Sequence, residues 1–124
     1  MAAFLDLLPA EQDGVALRHA IEPRHESFDD PAFFALCRKA GVAVVYAEAD
    51  KYPRFAEQTA GFTYARIQGA VEEEPLGYPE AELDRLAELA RSWAEGGRDV
   101  FLFFIGAAKL RNPAAAQALI ARLA

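Results

Sequence analysis

Glu22 and Arg24 stand two residues apart at the end of one short apolar run, and Tyr64, Arg66 and Gln68 do the same in another. That spacing sends the side chains of each set to one side of an extended strand. Arginine presents a planar fork of donors matched to a carboxylate or a phosphate, so two guanidinium groups that share one carboxylate keep spare donors for an anionic ligand. The competing structural reading is a plain Glu22 to Arg66 ion pair. His25 follows directly after Arg24, and an imidazole with an ordinary pKa of about 6.5 exchanges protons near neutrality. Glu22 and His25 are therefore the candidate acid and base, although no Ser or Cys nucleophile signature accompanies them.

The other runs end in comparable chemistry. Glu48-Ala-Asp50, Gln68-Gly69 and Gly106-Ala-Ala-Lys109 each follow an apolar stretch. Lys109 and Arg111 precede a helix opened by Asn112-Pro113, where free backbone N–H groups, a positive dipole end and two cations coincide, which suits phosphate. Arg24, Arg66, Gln68, Glu48, Lys109 and Asn112 are thus the candidate ligand-binding residues. Glu48, Asp50 and His25 offer oxygen and nitrogen donors, but spacing across separate loops forms no metal motif, so no metal is assigned and the cofactor is left open. His19, of opposite parity to Glu22, is expected to be a packing residue. Glu72-Glu73-Glu74 reads as a solvated loop and Cys37 as inert core.

Four elements must position these groups. The apolar runs 17–21, 42–47, 62–67 and 100–105 end in polar clusters, three of them leading towards a helix, which is the pattern of an α/β fold with a parallel sheet. The first strand is expected over about Ala16 to Arg24, after a helix tail at 3–8 closed by Pro9. Asp29-Asp30-Pro31 starts a helix and Gly41 stops it. Tyr52 to Gly61 reads as an irregular connection with one helical turn near Phe55. Pro79 opens the longest helix, with Leu83, Leu86, Ala87, Ala90 and Trp93 at helical spacing, and Gly96-Gly97 closes it. Asn112-Pro113 is expected to cap the last helix. In parallel sheets, chemistry gathers where the strands end.

The 124 residues, 53% hydrophobic and 26% charged, fit one domain, and a net charge of -6 disfavours general attraction to nucleic acid or anionic membranes. Cys37 is the only cysteine, which excludes an intramolecular disulfide and points to a reducing compartment, with the cytoplasm as the expected location. No run approaches the roughly 20 apolar residues of a membrane span.

Ala20-Ile-Glu22-Pro-Arg24-His25-Glu-Ser27-Phe28 resembles the Glu-x-Arg-His-x-Ser-aromatic signature of the YecE-like family, domain of unknown function 72. Tyr64-Ala-Arg66-Ile-Gln68-Gly69 resembles its Tyr-Val-Arg-aromatic-His-Gly strand. Gly77-Tyr78-Pro79 with Leu83 and Trp93 is similar to its entry to a Trp-bearing helix, and Gly97-Arg98-Asp99-Val100 and Arg111-Asn112-Pro113-Ala114 match further. The resemblance covers the carboxyl half of the family's domain. It implies a TIM-barrel-like fold, present here as about four parallel strands, a half-barrel or truncated barrel, in a family without an established reaction. Gln68 stands where the family usually has His, and Ile105-Gly106-Ala107 where an Asn-Asn-Asp-like segment is common.

Three functions remain in competition. The first is binding of a small anionic or phosphorylated ligand by Arg24, Arg66 and Lys109. The second is binding of nucleic-acid phosphates, which the acidic net charge opposes. The third is an incomplete barrel, inactive until it pairs with another copy or with an amino-terminal half that covers its open sheet edges.

Overall fold

Helix α2, Pro31–Ala40, forms where the sequence marks it. Asp30 accepts a hydrogen bond from the Ala32 amide at 2.9 Å, Pro31 occupies the first turn, and Gly41 ends the helix in the left-handed region at φ 70°. Helix α3, Glu80–Trp93, buries Leu83, Leu86, Ala87, Ala90 and Trp93 along one stripe. Helix α4 covers Asn112–Leu123, and a short α1 covers Ala2–Asp6. The computed structural model describes all residues, 1–124.

The parallel strands are β3 (Ala20–Ile21), β4 (Ala43–Val44), β5 (Tyr46–Glu48), β6 (Phe62–Ile67) and β7 (Asp99–Phe104). β3 pairs with β4, β5 with β6 and β6 with β7, every pairing parallel, and the last holds a six-residue register from Phe62 opposite Asp99 to Ile67 opposite Phe104. β4 and β5 flank Val45, whose amide donates to the Ile21 carbonyl at 2.8 Å. The run 43–48 therefore serves β3 with its first part and β6 with its second. The fold is α/β with parallel strands, and they do not close into a barrel.

The expected first strand differs. Only Ala20–Ile21 joins the parallel set, while β1 (Glu11–Gln12) and β2 (Val15–Ala16) form an antiparallel hairpin. Its turn is Asp13-Gly14, both at positive φ (52° and 79°), the conformation that a two-residue hairpin with native twist demands. The segment 51–61 has no helical turn. It is held instead by the buried Thr59 hydroxyl, which donates to the Val42 carbonyl at 2.6 Å and accepts from the Val44 amide at 3.1 Å.

Two cores result. The larger lies between β6, α3 and α4 and includes Ile67, Leu83, Leu86, Ala115 and Leu119, with Trp93 edge-on to Tyr46 at 4.9 Å between ring centroids. The smaller gathers Leu5, Phe33, Phe34, Cys37, Val42, Val44 and Phe55 around α2. In both, the helices cover one side of the sheet. The side bearing Phe62, Tyr64, Arg66, Phe101 and Phe103 has no helix over it.

Candidate functional site

The uncovered side of the sheet forms a cavity of about 630 Å³, lined by Leu17, Val45, Phe62, Tyr64 and Phe101 with Arg18, Glu22, Arg24 and Arg66. Its two ends differ. At the amino end of β6 and β7, Arg18 lies over the rings of Phe62 and Phe101, at 5.1 and 5.0 Å from the centroids, and pairs with Asp99 at 2.9 Å. This cation is neutralised and packed on aromatic faces.

At the carboxyl end, strand alternation places Glu22 beside β6. Glu22 Oε1 accepts from Arg66 Nη1 at 2.5 Å and Oε2 accepts from Arg24 Nε at 2.6 Å. The Glu22 side chain is 13% exposed, Arg66 30% and Arg24 51%, so the carboxylate is the most enclosed member of the cluster and the guanidiniums are its open edge. Burial pushes the Glu22 carboxyl up, but the hydrogen bonds from Arg66 and Arg24 outweigh it and hold the group below the ordinary carboxylate value. The partner effect raises Arg24. Arg24 also lies over the Tyr52 ring at 4.8 Å. One carboxylate against two guanidiniums leaves a net positive charge, and most of their N–H donors are uncommitted.

A Glu22 held ionised by two cations is a poor proton acceptor and serves better to orient the arginines. His25 adjoins the cluster on a second, shallower cavity that also includes Arg24, Asp50 and Tyr52. Its Nδ1 accepts from the Ser27 amide at 3.1 Å and contacts Ser27 Oγ at 2.9 Å, capping a 3-10 turn at Glu26–Phe28. The neutral ring then carries its proton on Nε2, the nitrogen left for exchange. His19, off this face, bonds the Pro9 carbonyl through Nε2 at 2.8 Å.

The remaining candidates lie elsewhere. Glu48 turns towards the helices because it shares a face of β5 with Tyr46. It accepts from the Tyr46 hydroxyl at 2.5 Å and from both Arg85 Nη1 (3.1 Å) and Nη2 (2.8 Å), with Arg54 at 3.9 Å. Burial opposes its ionisation, yet Arg85 and Tyr46 hold the Glu48 carboxyl low, and Arg85 is raised in return. Gln68 and Glu48 line a separate cavity of about 280 Å³ with Asp50, Arg54, Tyr78 and Glu82. The Tyr78 hydroxyl there is buried without a partner of ordinary hydrogen-bond geometry. Burial pushes it up to about 12, although the nearby Gly69 and Ala70 amides act the other way.

Asn112 is the first residue of α4, not its cap, and Arg111 precedes it without a capping bond. The Asn112 side chain spans Gly106, accepting from its amide at 3.1 Å and donating to its carbonyl at 2.9 Å. The backbone approaches closely there: a Cβ at Gly106 would lie 3.0 Å from the Gln68 carbonyl oxygen and 3.1 Å from the Ala70 nitrogen, so a side chain would force these neighbours to shift. Arg111 bonds the Glu72 carbonyl at 3.2 Å, and Lys109 is exposed. The structure thus brings together Glu22, Arg24 and Arg66, sets His25 beside them, and leaves Glu48, Gln68, Lys109 and Asn112 outside the cluster. The sequence reading missed Arg18, Tyr52 and Arg85. The Glu82 to Arg85 spacing, which closes an ion pair of 3.0 Å along α3, was the available signal for the last. No three His, Cys, Asp or Glu side chains converge in a group able to hold a metal ion.

The model of one family, described as protein of unknown function DUF72, matches residues 1–124. The chain belongs to the DUF72 family. Among solved structures, it is similar to a DUF72 family protein of Enterococcus faecalis, with a TM-score of 0.69 and 16% identity, over 86% of this chain and 47% of that one. It is also similar to a DUF72 family protein of Thermotoga maritima, with a TM-score of 0.64 and 24% identity, over 86% and 45%. These likenesses establish a shared DUF72 fold, and this chain spans about half the length of those relatives. No curated protein matches it. No helix is long and apolar enough to cross a membrane.

Proposed function

We propose that this DUF72 chain binds the anionic group, phosphate or carboxylate, of a small molecule at the Glu22, Arg24 and Arg66 cluster. In this reading its strand and helix units are the carboxyl-terminal half of a TIM-barrel-like domain that works in a reducing compartment such as the cytoplasm. The observation that carries the reading is one carboxylate, 13% exposed, shared by two more open guanidiniums on the lining of a 630 Å³ cavity. Two arginines fixed by the same carboxylate are pre-oriented, so less side-chain freedom is lost when an anion arrives. The position at the carboxyl ends of parallel strands is where such folds bind ligands. His25, with Nε2 available, is the group placed to exchange a proton with a bound molecule.

Inorganic phosphate and phenyl phosphate, titrated by calorimetry, test this. Arg66→Ala is expected to weaken binding by about tenfold or more, the worth of a charge-assisted hydrogen bond, while Arg122→Ala leaves it unchanged. Equal affinities in the two variants would overturn the reading. The nucleic-acid alternative predicts instead that a single-stranded oligonucleotide binds with steep salt dependence.

A further inference from the structure

Arg24 lines two cavities whose walls differ in kind. The first continues from the arginines onto Leu17, Val45, Phe62 and Phe101. The second, about 330 Å³, is lined apart from one proline by Arg24, His25, Glu26, Asp50, Lys51 and Tyr52. Its two walls follow parallel strands, residues 24–26 coming after β3 and residues 50–53 after β5. Arg24 ties them together, since Glu22 holds its Nε while its guanidinium lies over the Tyr52 ring at 4.8 Å. This cavity is a product of the two loops and draws nothing from the aromatic face of the sheet.

Charge and donor direction define what fits there. Glu26 and Asp50 supply two negative charges against the two positive charges of Arg24 and Lys51, so the walls balance around a neutral His25. Glu26, Asp50 and Lys51 enter none of the chain's ion pairs, which leaves their acceptors and donors uncommitted. His25 is fixed as a donor. A backbone amide can only donate, so the Ser27 amide, 3.1 Å from Nδ1, makes that nitrogen the acceptor and puts the ring proton on Nε2. A hydroxyl group both donates and accepts, which matches carboxylates set beside an N–H. An apolar body would displace water from these groups without replacing its hydrogen bonds. A charged body would find no net charge to meet, and the acidic and imidazole groups do not converge on a metal ion.

We infer that the molecule bound at the Glu22, Arg24 and Arg66 cluster carries a neutral body rich in hydroxyl groups, as a phosphorylated or acidic sugar does. The body occupies the cavity between residues 24–26 and 50–53, where Glu26 and Asp50 accept from its hydroxyls and His25 Nε2 donates to one. The inference rests on the anion-binding reading and adds the substrate class to it.

Calorimetry with matched ring compounds decides it: glucose 6-phosphate against phenyl phosphate, and glucuronate against benzoate, with inorganic phosphate as the bare anion. The pair that binds identifies the anionic group. Within it the sugar is expected to bind about tenfold tighter than the aromatic compound, the worth of one or two added hydrogen bonds. Asp50→Ala, at an exposed position, is expected to remove that advantage without weakening inorganic phosphate, and Glu73→Ala, in a separate exposed loop, to leave both unchanged. Equal affinity within the pair, tighter binding of the aromatic compound, or an advantage that survives Asp50→Ala would overturn the inference and leave the anion reading standing. Failure of every compound to bind, inorganic phosphate included, would overturn both.

Discussion

Glu48→Ala is expected to lower folding stability by about 2–4 kcal/mol, read as a lower urea midpoint at unchanged slope. Glu48 is 9% exposed and takes three hydrogen bonds, one from the buried Tyr46 hydroxyl and two from Arg85. Alanine removes the acceptor of the buried Tyr46 hydroxyl and leaves Arg85 with Glu82 alone. Arg85 is 40% exposed and recovers water, which keeps the loss below that of a fully enclosed pair. The pH dependence follows from the depressed carboxyls of Glu48 and Glu22. Their contribution is complete above the ordinary carboxylate value of about 4.3 and is lost as pH falls through their lower folded values. The acid limb of the stability curve is therefore expected to be shallower in Glu48→Ala than in the parent. Parallel limbs would show that Glu48 does not carry it.

Leu86→Ala is expected to cost about 2–5 kcal/mol, the range for a leucine removed from a packed core. Leu86 has no exposed surface and sits between α3 and the sheet with Ile67 and Leu83, which are equally enclosed. Backbone hydrogen bonds hold the surrounding strand and helix, so little collapse can fill the space. Leu110, 83% exposed, supplies the comparison: Leu110→Ala is expected to stay within about 0.5 kcal/mol of the parent. Thermal or urea unfolding of the pair measures both, and a Leu86→Ala loss under about 1 kcal/mol would mean the two layers are less tightly packed than described.

The elements that local chemistry dictates were legible in the sequence. Asp30-Pro31 and Gly41 bracket α2, the Leu83, Leu86, Ala90 and Trp93 stripe marks α3, and the 62–67 run is β6. Parity placed Glu22 with Arg24 on one side of the first run and Arg66 with Tyr64 on one side of the third, and an ion pair between Glu22 and Arg66 was one of the two readings that this left open. Glu48 did not follow. The run 42–48 is buried on both faces, so its sequence carries no mark of which side meets the helices, and only the Tyr46 contact with Trp93 settles it. The first strand was read too long for a related reason. Leu17 to Ile21 is apolar enough for a strand, but it gains a parallel partner only at His19 to Ile21, and the Asp13-Gly14 turn takes the preceding residues into a hairpin that also holds the Leu17 amide. That dipeptide was the overlooked signal. Asn112 looked like a cap because Asn before Pro commonly is one, whereas the close approach of Gly106 to the end of β6 recruited its side chain instead.

The burial of Cys37 gives the protein an internal clock. As the only thiol, with no exposed surface and burial raising its pKa, it meets a reagent only in molecules whose α2 has lifted from Val42, Val44 and Phe55. The pace of its modification measures how often the smaller core opens, while amide exchange along α3 measures the larger. Equal opening free energies would describe one cooperative unit. A faster Cys37 would describe two, meeting where the strand changes partners at Val45.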